Sequence, residues 1–237
     1  MKNITFITLF TTGRTGTAFL TEAFSGQKWE KRNIYVRKNC LVTHESIPTE
    51  KLRIPELKKL DWFSNESIKI QKQVIENLLN ELQKCNANKI FITDHRIGRF
   101  YSPFLIKKLN SKIIYIERDE QQTLDSFMKR LNLRKKILIE SQYKKYIQRR
   151  WNNNLYEPTD LSTICKMNRS DWKDLSEEEQ IRWYLKETKE RWKILKEKTN
   201  LNCIEISFDD IKNHNLTKIS DFIEIEYDKN ISYEKIN

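Results

Sequence analysis

The chain has 237 residues, of which 38% are hydrophobic, and its 44 Lys and Arg against 33 Asp and Glu give a formal net charge of +11. This length can bury one sizeable core, so the composition predicts a single folded domain over residues 1–237 and excludes a disordered chain. No apolar run approaches the roughly 20 residues that a membrane-spanning helix needs. The N-terminus lacks the charge and cleavage pattern of a signal peptide, and we therefore expect a cytoplasmic protein without a transmembrane segment.

The cysteines, the histidines and the net charge limit the ligands and partners that the sequence predicts. Four scattered cysteines without a Cys-x-x-Cys pair predict free thiols in a reducing compartment. Three histidines without ligand spacing do not indicate a metal site. The excess of positive charge favours an anionic partner, whether a nucleotide, a nucleic acid, an acidic glycan or a membrane surface. A lysine-rich surface without a functional role is the alternative, and charge alone does not decide between them.

Short segments rich in β-branched and aromatic residues alternate with helical patterns along the chain. Residues 152–176 are the longest irregular stretch, and we expect them to form an insertion or lid within the domain. The alternation predicts an α/β fold with a central, mainly parallel β-sheet flanked by helices. In chain order the predictions are a strand at 3–9, a helix at 16–25, a strand at 40–43, a helix at 66–84, a strand at 89–93, a helix at 102–109, a strand at 112–117, a continuous or broken helix at 120–150, a helix at 177–198 and a strand at 202–207.

Two of the chain's four glycines lie in Gly13-Arg14-Thr15-Gly16-Thr17, between the first predicted strand and the first predicted helix. Glycines in such a turn let backbone N–H groups face an anion, and the helix N-terminus adds partial positive charge. Thr15 and Thr17 can donate hydroxyl hydrogen bonds, and Arg14 offers a guanidinium fork. An ordinary strand-to-helix turn with a threonine cap is the alternative. A nucleoside-triphosphatase loop is disfavoured because Gly16 is not followed by Lys and Ser or Thr.

A second group of anion-binding residue types follows the predicted strand at 112–117. Arg118 stands at the carboxyl end of this strand, and the capping-box pattern of residues 119–122 predicts that a helix begins there. Ser126 and Arg130 lie four residues apart, on one face of that helix. We therefore expect Arg118, Ser126 and Arg130 to converge on a single anion.

Together these two stretches resemble the sulfotransferases that depend on adenosine 3′-phosphate 5′-phosphosulfate (PAPS). In that family a [Lys/Arg]-Ser-Gly-Thr-[Thr/x] loop after the first strand holds the 5′-phosphosulfate. A strand that ends in Arg-Asp, with a Ser eight residues after the Arg, binds the 3′-phosphate. Arg14-Thr15-Gly16-Thr17 is similar to the first motif, with Thr in place of Ser, and Arg118 and Ser126 match the second. Ala18 departs from the pattern, since many members have there a second Thr that contacts the 5′-phosphate.

The resemblance implies a P-loop-containing sulfotransferase-like fold and transfer of a sulfonate group from PAPS to a hydroxyl, or an amine, of a glycan or small-molecule acceptor. It spans about residues 3–212, because residues 208–211 are similar to a turn that follows a late strand of the family. The product would be 3′,5′-ADP, and no metal is implied. The implied contacts to the nucleotide come from Gly13, Arg14, Thr15, Gly16, Thr17, Ala18, Arg118, Ser126 and Arg130.

The implied chemistry is an in-line displacement at sulfur. Arg14 would stabilise the charge that develops as PAPS becomes 3′,5′-ADP. A base must also take the proton of the acceptor. The segment with His44 and Glu45 is similar to a His-Glu-Pro-like segment of related enzymes, and it implies Glu45 as the first choice of base and His44 as the second. His44 as the base, oriented by Glu45, is a further assignment, and a loop pair without a catalytic role is the alternative.

Two more features bear on an acceptor. His95 and Arg96 follow the predicted strand at 89–93, at the sheet edge where open α/β folds bind ligands, so either they line an acceptor pocket or His95 makes a structural contact with Asp94. The run 129–150 holds nine Lys and Arg against one Glu. It is either a solvated helix face or a groove for a sulfated or carboxylated glycan or an anionic membrane.

Two other functions are compatible with parts of the sequence. A nucleic-acid-binding protein would use the basic run, but it gives no reason for the spacing of Arg118 and Ser126, so we do not expect a nucleic-acid partner. A non-catalytic nucleotide-binding protein of the sulfotransferase fold is compatible with Ala18. The sequence carries no indication of oligomeric state.

Overall fold

A computed structural model describes residues 4–28, 34–44, 48–82, 87–109, 111–231 and 233. The strands are β1 (Thr5–Phe10), β2 (Ile34–Arg37), β3 (Cys40–Thr43), β4 (Lys89–Ile92), β5 (Lys112–Glu117) and β6 (Asn202–Ser207). The helices are α1 (Thr17–Ser25), α2 (Ile54–Leu57), α3 (Asn65–Leu82), α4 (His95–Leu109), α5 (Glu120–Ile137), α6 (Glu140–Asn154), α7 (Arg169–Asp174), α8 (Glu177–Lys198), α9 (Phe208–Lys212) and α10 (Thr217–Ile223). A 3-10 turn covers Thr49–Leu52.

The predicted α/β fold is confirmed. The six strands form one sheet in the order β2-β3-β4-β1-β5-β6, in which β3, β4, β1, β5 and β6 run parallel and β2 is antiparallel to β3. The chain leaves β1 toward β3 and β4 on one side and then crosses to β5 and β6 on the other. In open parallel sheets, ligands bind beyond the carboxyl ends of the strands where the order reverses. In this sheet that position is the end of β1.

Both faces of the sheet are covered, as the nearly continuous apolar runs of its strands predict. On one face, Phe6 of β1 packs with Ile75 of α3, Phe100 of α4 and Tyr184 of α8. On the other face, Ile7 packs with side chains of α1, α9 and α10. The two cores fix β1 from both sides, so the loop that follows it starts from a rigid strand.

β2 and the start of α4 differ from the predictions, and the short helices α2, α7, α9 and α10 were not predicted. β2 was not predicted, because it is a half-exposed edge strand and its turn to β3 places Lys38, rather than glycine, in the left-handed conformation (φ 51°). α4 begins at His95 rather than at 102, although Gly98 and Pro103 both weaken a helix locally. The predicted helix at 120–150 is broken between α5 and α6, where Leu138 has an extended backbone.

Residues 152–176 comprise the end of α6, an irregular segment and α7. The Tyr156 hydroxyl donates to the Arg99 carbonyl at 2.7 Å, and Trp172 packs edge-on against Trp183 of α8, 5.3 Å between ring centroids. The Glu187 carboxylate accepts hydrogen bonds from the backbone N–H groups of residues 164 and 165. Buried polar and aromatic contacts therefore hold this segment against α4 and α8.

Candidate functional site

The loop of residues 11–16, called here the β1–α1 loop, turns through three residues with left-handed backbone. Gly13 has φ 85°, Arg14 φ 60° and Gly16 φ 72°. Glycine adopts this conformation without strain, whereas for Arg14 it is unfavourable. No described side chain caps α1 at Gly16. The first N–H groups of α1 therefore lack a side-chain acceptor, which is the arrangement that binds anions at helix N-termini.

Two threonines brace the β1–α1 loop from inside. The hydroxyls of Thr11 and Thr15 lie 2.8 Å apart, both side chains are fully buried, and the Gly13 N–H donates to the Thr11 hydroxyl. The Thr15 hydroxyl, predicted to bind phosphate, is thus engaged within the loop. Thr17 and Ala18, at the start of α1, are half-buried.

Three of the predicted site residues meet beside this loop, although Arg14 lies more than 100 positions before the other two in sequence. Arg14 Nε donates to Ser126 Oγ at 3.0 Å, and the Arg118 guanidinium donates to the Arg14 carbonyl. Arg118 Nε is buried without a hydrogen-bond partner among the described residues. The Asp119 carboxylate accepts from the Gln122 N–H at 2.8 Å, so the predicted helix start at the end of β5 is confirmed. Buried donors are rarely left without an acceptor in folded proteins.

The β1–α1 loop forms one wall of a cavity of about 190 Å³, called here the arginine cavity. None of its lining residues carries a carboxylate. Partial burial lowers the pKa of Arg14, and the neighbouring charges of Arg130, Arg150 and Arg118 lower it further. Crowded guanidinium groups repel one another, and a bound anion relieves that repulsion. The cavity is lined by Thr12, Gly13, Arg14, His95, Arg96, Phe127, Arg130, Tyr146, Arg150, Asn154 and Leu155.

His95, the first residue of α4, borders both the arginine cavity and the β1–α1 loop. A Cβ placed on Gly13 would lie 3.6 Å from His95 Nε2, so the imidazole packs against this glycine. Nδ1 is buried and has no hydrogen-bond partner among the described residues. Burial, followed by the charge of Arg99, holds the pKa of His95 well below 6.5. The imidazole is therefore neutral at pH 7.

Asp94 and Arg96, which flank His95 in the sequence, form a buried ion pair. The Arg96 guanidinium donates to both oxygens of Asp94, at 2.6 Å for the shortest contact, and both side chains are buried. Burial by itself would raise the pKa of Asp94, but Arg96 holds it well below its ordinary value. Asp94 thus pairs with Arg96 at short distance, and this pair fixes the start of α4.

His44 follows β3 and is only 5% exposed. Its Nδ1 lies 3.0 Å from the Thr93 hydroxyl, which lies 2.6 Å from the Thr21 hydroxyl. This buried chain of polar groups joins β3, β4 and α1, and His44 does not line the arginine cavity. Glu45, predicted as the first choice of base, lies outside the described residues.

Aromatic side chains border the β1–α1 loop at Gly16. A Cβ on Gly16 would lie 3.1 Å from the ring of Tyr233 and 3.5 Å from that of Phe208. The Arg118 guanidinium lies 4.2 Å from the centroid of the Phe208 ring. Phe208 belongs to a stretch identified in the sequence by resemblance, whereas no sequence pattern indicated that Tyr233 contacts the loop.

No protein-family model matches the chain, and no curated protein matches it. None of the helices in the described ranges combines the length and the apolar composition that a bilayer crossing requires. Within the same ranges there is no group of three or more His, Cys, Asp or Glu that could hold a metal ion.

Proposed function

We propose that the protein is a sulfotransferase that moves a sulfonate group from PAPS to a hydroxyl or amine of a glycan or small-molecule acceptor and releases 3′,5′-ADP. The observation that carries the proposal is the meeting of Arg118 and Ser126 with the β1–α1 loop. A nucleotide with phosphate on both its 5′ and 3′ positions requires two anion sites close together. The loop supplies one, and the end of β5 with the first turns of α5 supplies the other.

The residues divide between the two phosphates according to their position. Backbone N–H groups of the β1–α1 loop and of the first turn of α1 suit the 5′-phosphosulfate, because they have no side-chain cap among the described residues. Arg118, with its unpartnered Nε, and the Ser126 hydroxyl suit the 3′-phosphate, and Arg130 lies one helical turn further on α5. The described cysteines Cys40, Cys165 and Cys203 are free thiols, which suits the proposed location in the cytoplasm.

Arg14 is placed to assist the transfer itself. In the reaction the acceptor oxygen bonds to sulfur while the bond from sulfur to the 5′-phosphate oxygen breaks, and the electron pair remains on that phosphate. The Arg14 side chain lies in the wall of the arginine cavity, next to the anion site of the loop. Its guanidinium can stabilise the charge that grows on the leaving phosphate, a contribution of roughly 10²–10³ in rate for one preorganised donor.

A base must accept the proton of the acceptor, and the described geometry favours His95. Its neutral imidazole faces the arginine cavity beside Gly13. His44 instead is buried, with Nδ1 on Thr93, which suits a structural role. Glu45 remains a candidate on sequence grounds. A positioned base contributes about 10²–10⁴ in rate.

The test is release of 3′,5′-ADP from PAPS, followed by chromatography, with a panel of hydroxyl and amine acceptors. We expect acceptor-dependent release by the unchanged protein, a loss of at least 100-fold in His95→Asn, and less than threefold change in Glu45→Gln. Equal loss in both variants would favour a shared role, and loss only in Glu45→Gln would move the base to Glu45. If the protein binds 3′,5′-ADP but no acceptor promotes release, the second candidate applies: a non-catalytic nucleotide-binding protein, which the missing hydroxyl at Ala18 favours.

A further inference from the structure

The wall of the arginine cavity that faces the β1–α1 loop contains two more arginines. Arg130 lies on α5, one turn beyond Ser126, and Arg150 lies on α6. The Arg150 guanidinium lies 4.8 Å from the centroid of the Phe127 ring and donates to the Tyr146 hydroxyl at 3.4 Å. Packing on a ring fixes the position of this guanidinium and leaves its other N–H groups available.

These two arginines have no acidic partner among the described residues, whereas two lysines of the same basic run do. In the described part of the chain no carboxylate lies within salt-bridge distance of Arg130 or Arg150, whereas Lys135 pairs with Glu177 and Lys144 with Glu140. The basic run of the sequence is therefore divided in the structure. Lys135 and Lys144 have surface ion pairs, and the two cavity arginines do not.

The charged form of Arg150 is energetically unfavourable in this environment unless an anion is bound. Burial lowers the pKa of Arg150, and the charge of Arg130 lowers it further, while the Tyr146 hydroxyl opposes the shift. Since the Tyr146 hydroxyl oxygen accepts from Arg150, its own O–H points elsewhere and can donate. Two guanidinium groups and one hydroxyl donor thus border one side of a cavity whose lining holds no carboxylate.

We propose that Arg150, with Arg130 and the Tyr146 hydroxyl, binds an anionic group on the acceptor itself, so that the acceptor is a hydroxyl compound that carries a carboxylate, sulfate or phosphate. The assignment rests on the proposed sulfonate transfer, because the two phosphates of the nucleotide are already matched to the β1–α1 loop and to Arg118 with Ser126. Arg150 comes from α6, across the cavity from that loop, and both of them border the space beside His95. An acceptor held there by its anion presents its hydroxyl between His95 and the loop.

The experiment measures binding of matched neutral and anionic probes to the protein saturated with 3′,5′-ADP, by NMR titration. One set is methyl glucoside against methyl glucuronide, methyl glucoside 6-sulfate and methyl glucoside 6-phosphate. The other is 4-hydroxybenzoate against its methyl ester. We expect at least one anionic probe to bind tenfold or more tightly than its neutral partner. The relative affinities of the carboxylate, sulfate and phosphate probes identify the group.

Variants connect this preference to the cavity. Arg150→Gln is expected to reduce the preference to less than threefold and Arg150→Lys to restore part of it, while the Kd for 3′,5′-ADP changes less than twofold. Arg149→Gln is the matched control, because it removes the same charge from the same helix but lines a different groove. Should Arg150→Gln not fold, the exposed Arg130 replaces it, and Arg130→Gln must reduce the same preference.

The outcomes separate the two proposals. Equal or absent binding of every anionic and neutral pair, or a preference that survives both Arg150→Gln and Arg130→Gln, would overturn the anionic-acceptor assignment even if 3′,5′-ADP binds. Failure to bind 3′,5′-ADP would instead remove the nucleotide assignment. A preference for anionic probes that depends on Arg150 would then still be measurable in the nucleotide-free protein.

Discussion

Gly98 gives the sharpest stability test of how the site is assembled, because α4 touches the backbone of β1 there. A Cβ at this position would lie 2.7 Å from the Leu9 carbonyl carbon and 3.1 Å from Phe10 Cα, and it would overlap the Leu9 carbonyl oxygen. The obstacle is strand backbone, fixed by packing on both sheet faces, rather than the end of a flexible side chain. Gly98→Ala therefore forces α4 away from β1.

Two opposing contributions set the change in the free energy of unfolding of Gly98→Ala. Alanine stabilises a helix interior by about 0.8–1 kcal/mol relative to glycine. Overpacking a tight contact costs about 1–3 kcal/mol and occasionally more, and a backbone obstacle places this position at or above the upper end. We expect a net loss of about 2 kcal/mol in the free energy of unfolding. Since β1 leads into the β1–α1 loop and α4 begins at His95, the displacement should also weaken binding of 3′,5′-ADP.

Urea denaturation measures the loss of stability, and calorimetric titration measures the weaker binding of 3′,5′-ADP. Gly26→Ala is the comparison variant: Gly26, unlike Gly98, has a left-handed backbone (φ 70°), and a Cβ there would meet only the Arg37 side chain. That variant should lose about 1 kcal/mol from backbone strain and keep its affinity for 3′,5′-ADP. A Gly98→Ala protein as stable as the unchanged one would show that α4 does not lie on β1 as described.

Three further predictions concern buried and ionisable groups. Glu187→Gln should lower the free energy of unfolding by about 3 kcal/mol, because it leaves the fully buried Arg191 without its anion. Glu190→Gln, on the surface of the same helix, should lower it by less than about 1 kcal/mol. Equal losses of the two variants in urea denaturation would contradict this prediction. Since burial and neighbouring charge hold the pKa of His95 well below 6.5, the acidic limb of kcat/KM should lie below pH 6.5, and a limb above it would exclude His95 as the base. The depressed pKa of Asp94 contributes stability above about pH 4 that is lost as the pH falls, so Asp94→Asn should flatten that acid dependence of the unfolding free energy.

Much of the sheet could be predicted from local pattern. The bounds of β3, β5, β6 and α8 agree with their predictions. β3 and β5 are nearly continuous apolar runs, as expected of buried parallel strands, and α8 begins with a capping box at Ser176. β2 escaped prediction since half of its surface is exposed and its turn uses Lys38. The first two turns of α4 were not predicted, because Gly98 weakens a helix locally. Gly98 is needed there for its close contact with the backbone of β1, which the sequence does not reveal.

The site residues that directly follow strands could be predicted from the sequence, whereas those that come from other elements could not. Arg14 and Arg118 come after neighbouring parallel strands, so their meeting could be anticipated from the sheet. Arg150 borders the arginine cavity because the chain breaks after α5, and Tyr233 packs against Gly16 because of the path of the C-terminal residues. His44 was predicted as a candidate base, but it lies in the interior, where its Nδ1 is 3.0 Å from the Thr93 hydroxyl.

The claim that a doubly phosphorylated nucleotide binds between the β1–α1 loop and β5 is tested most directly by calorimetric titration with 3′,5′-ADP. We predict micromolar binding to the unchanged protein and a loss of 10- to 100-fold in Arg118→Ala, since a hydrogen bond to a charged group is worth about 1.5–3 kcal/mol. Arg182→Ala, which removes an exposed arginine paired with Glu178, should bind as the unchanged protein does. No binding, or binding indifferent to Arg118, would contradict the account.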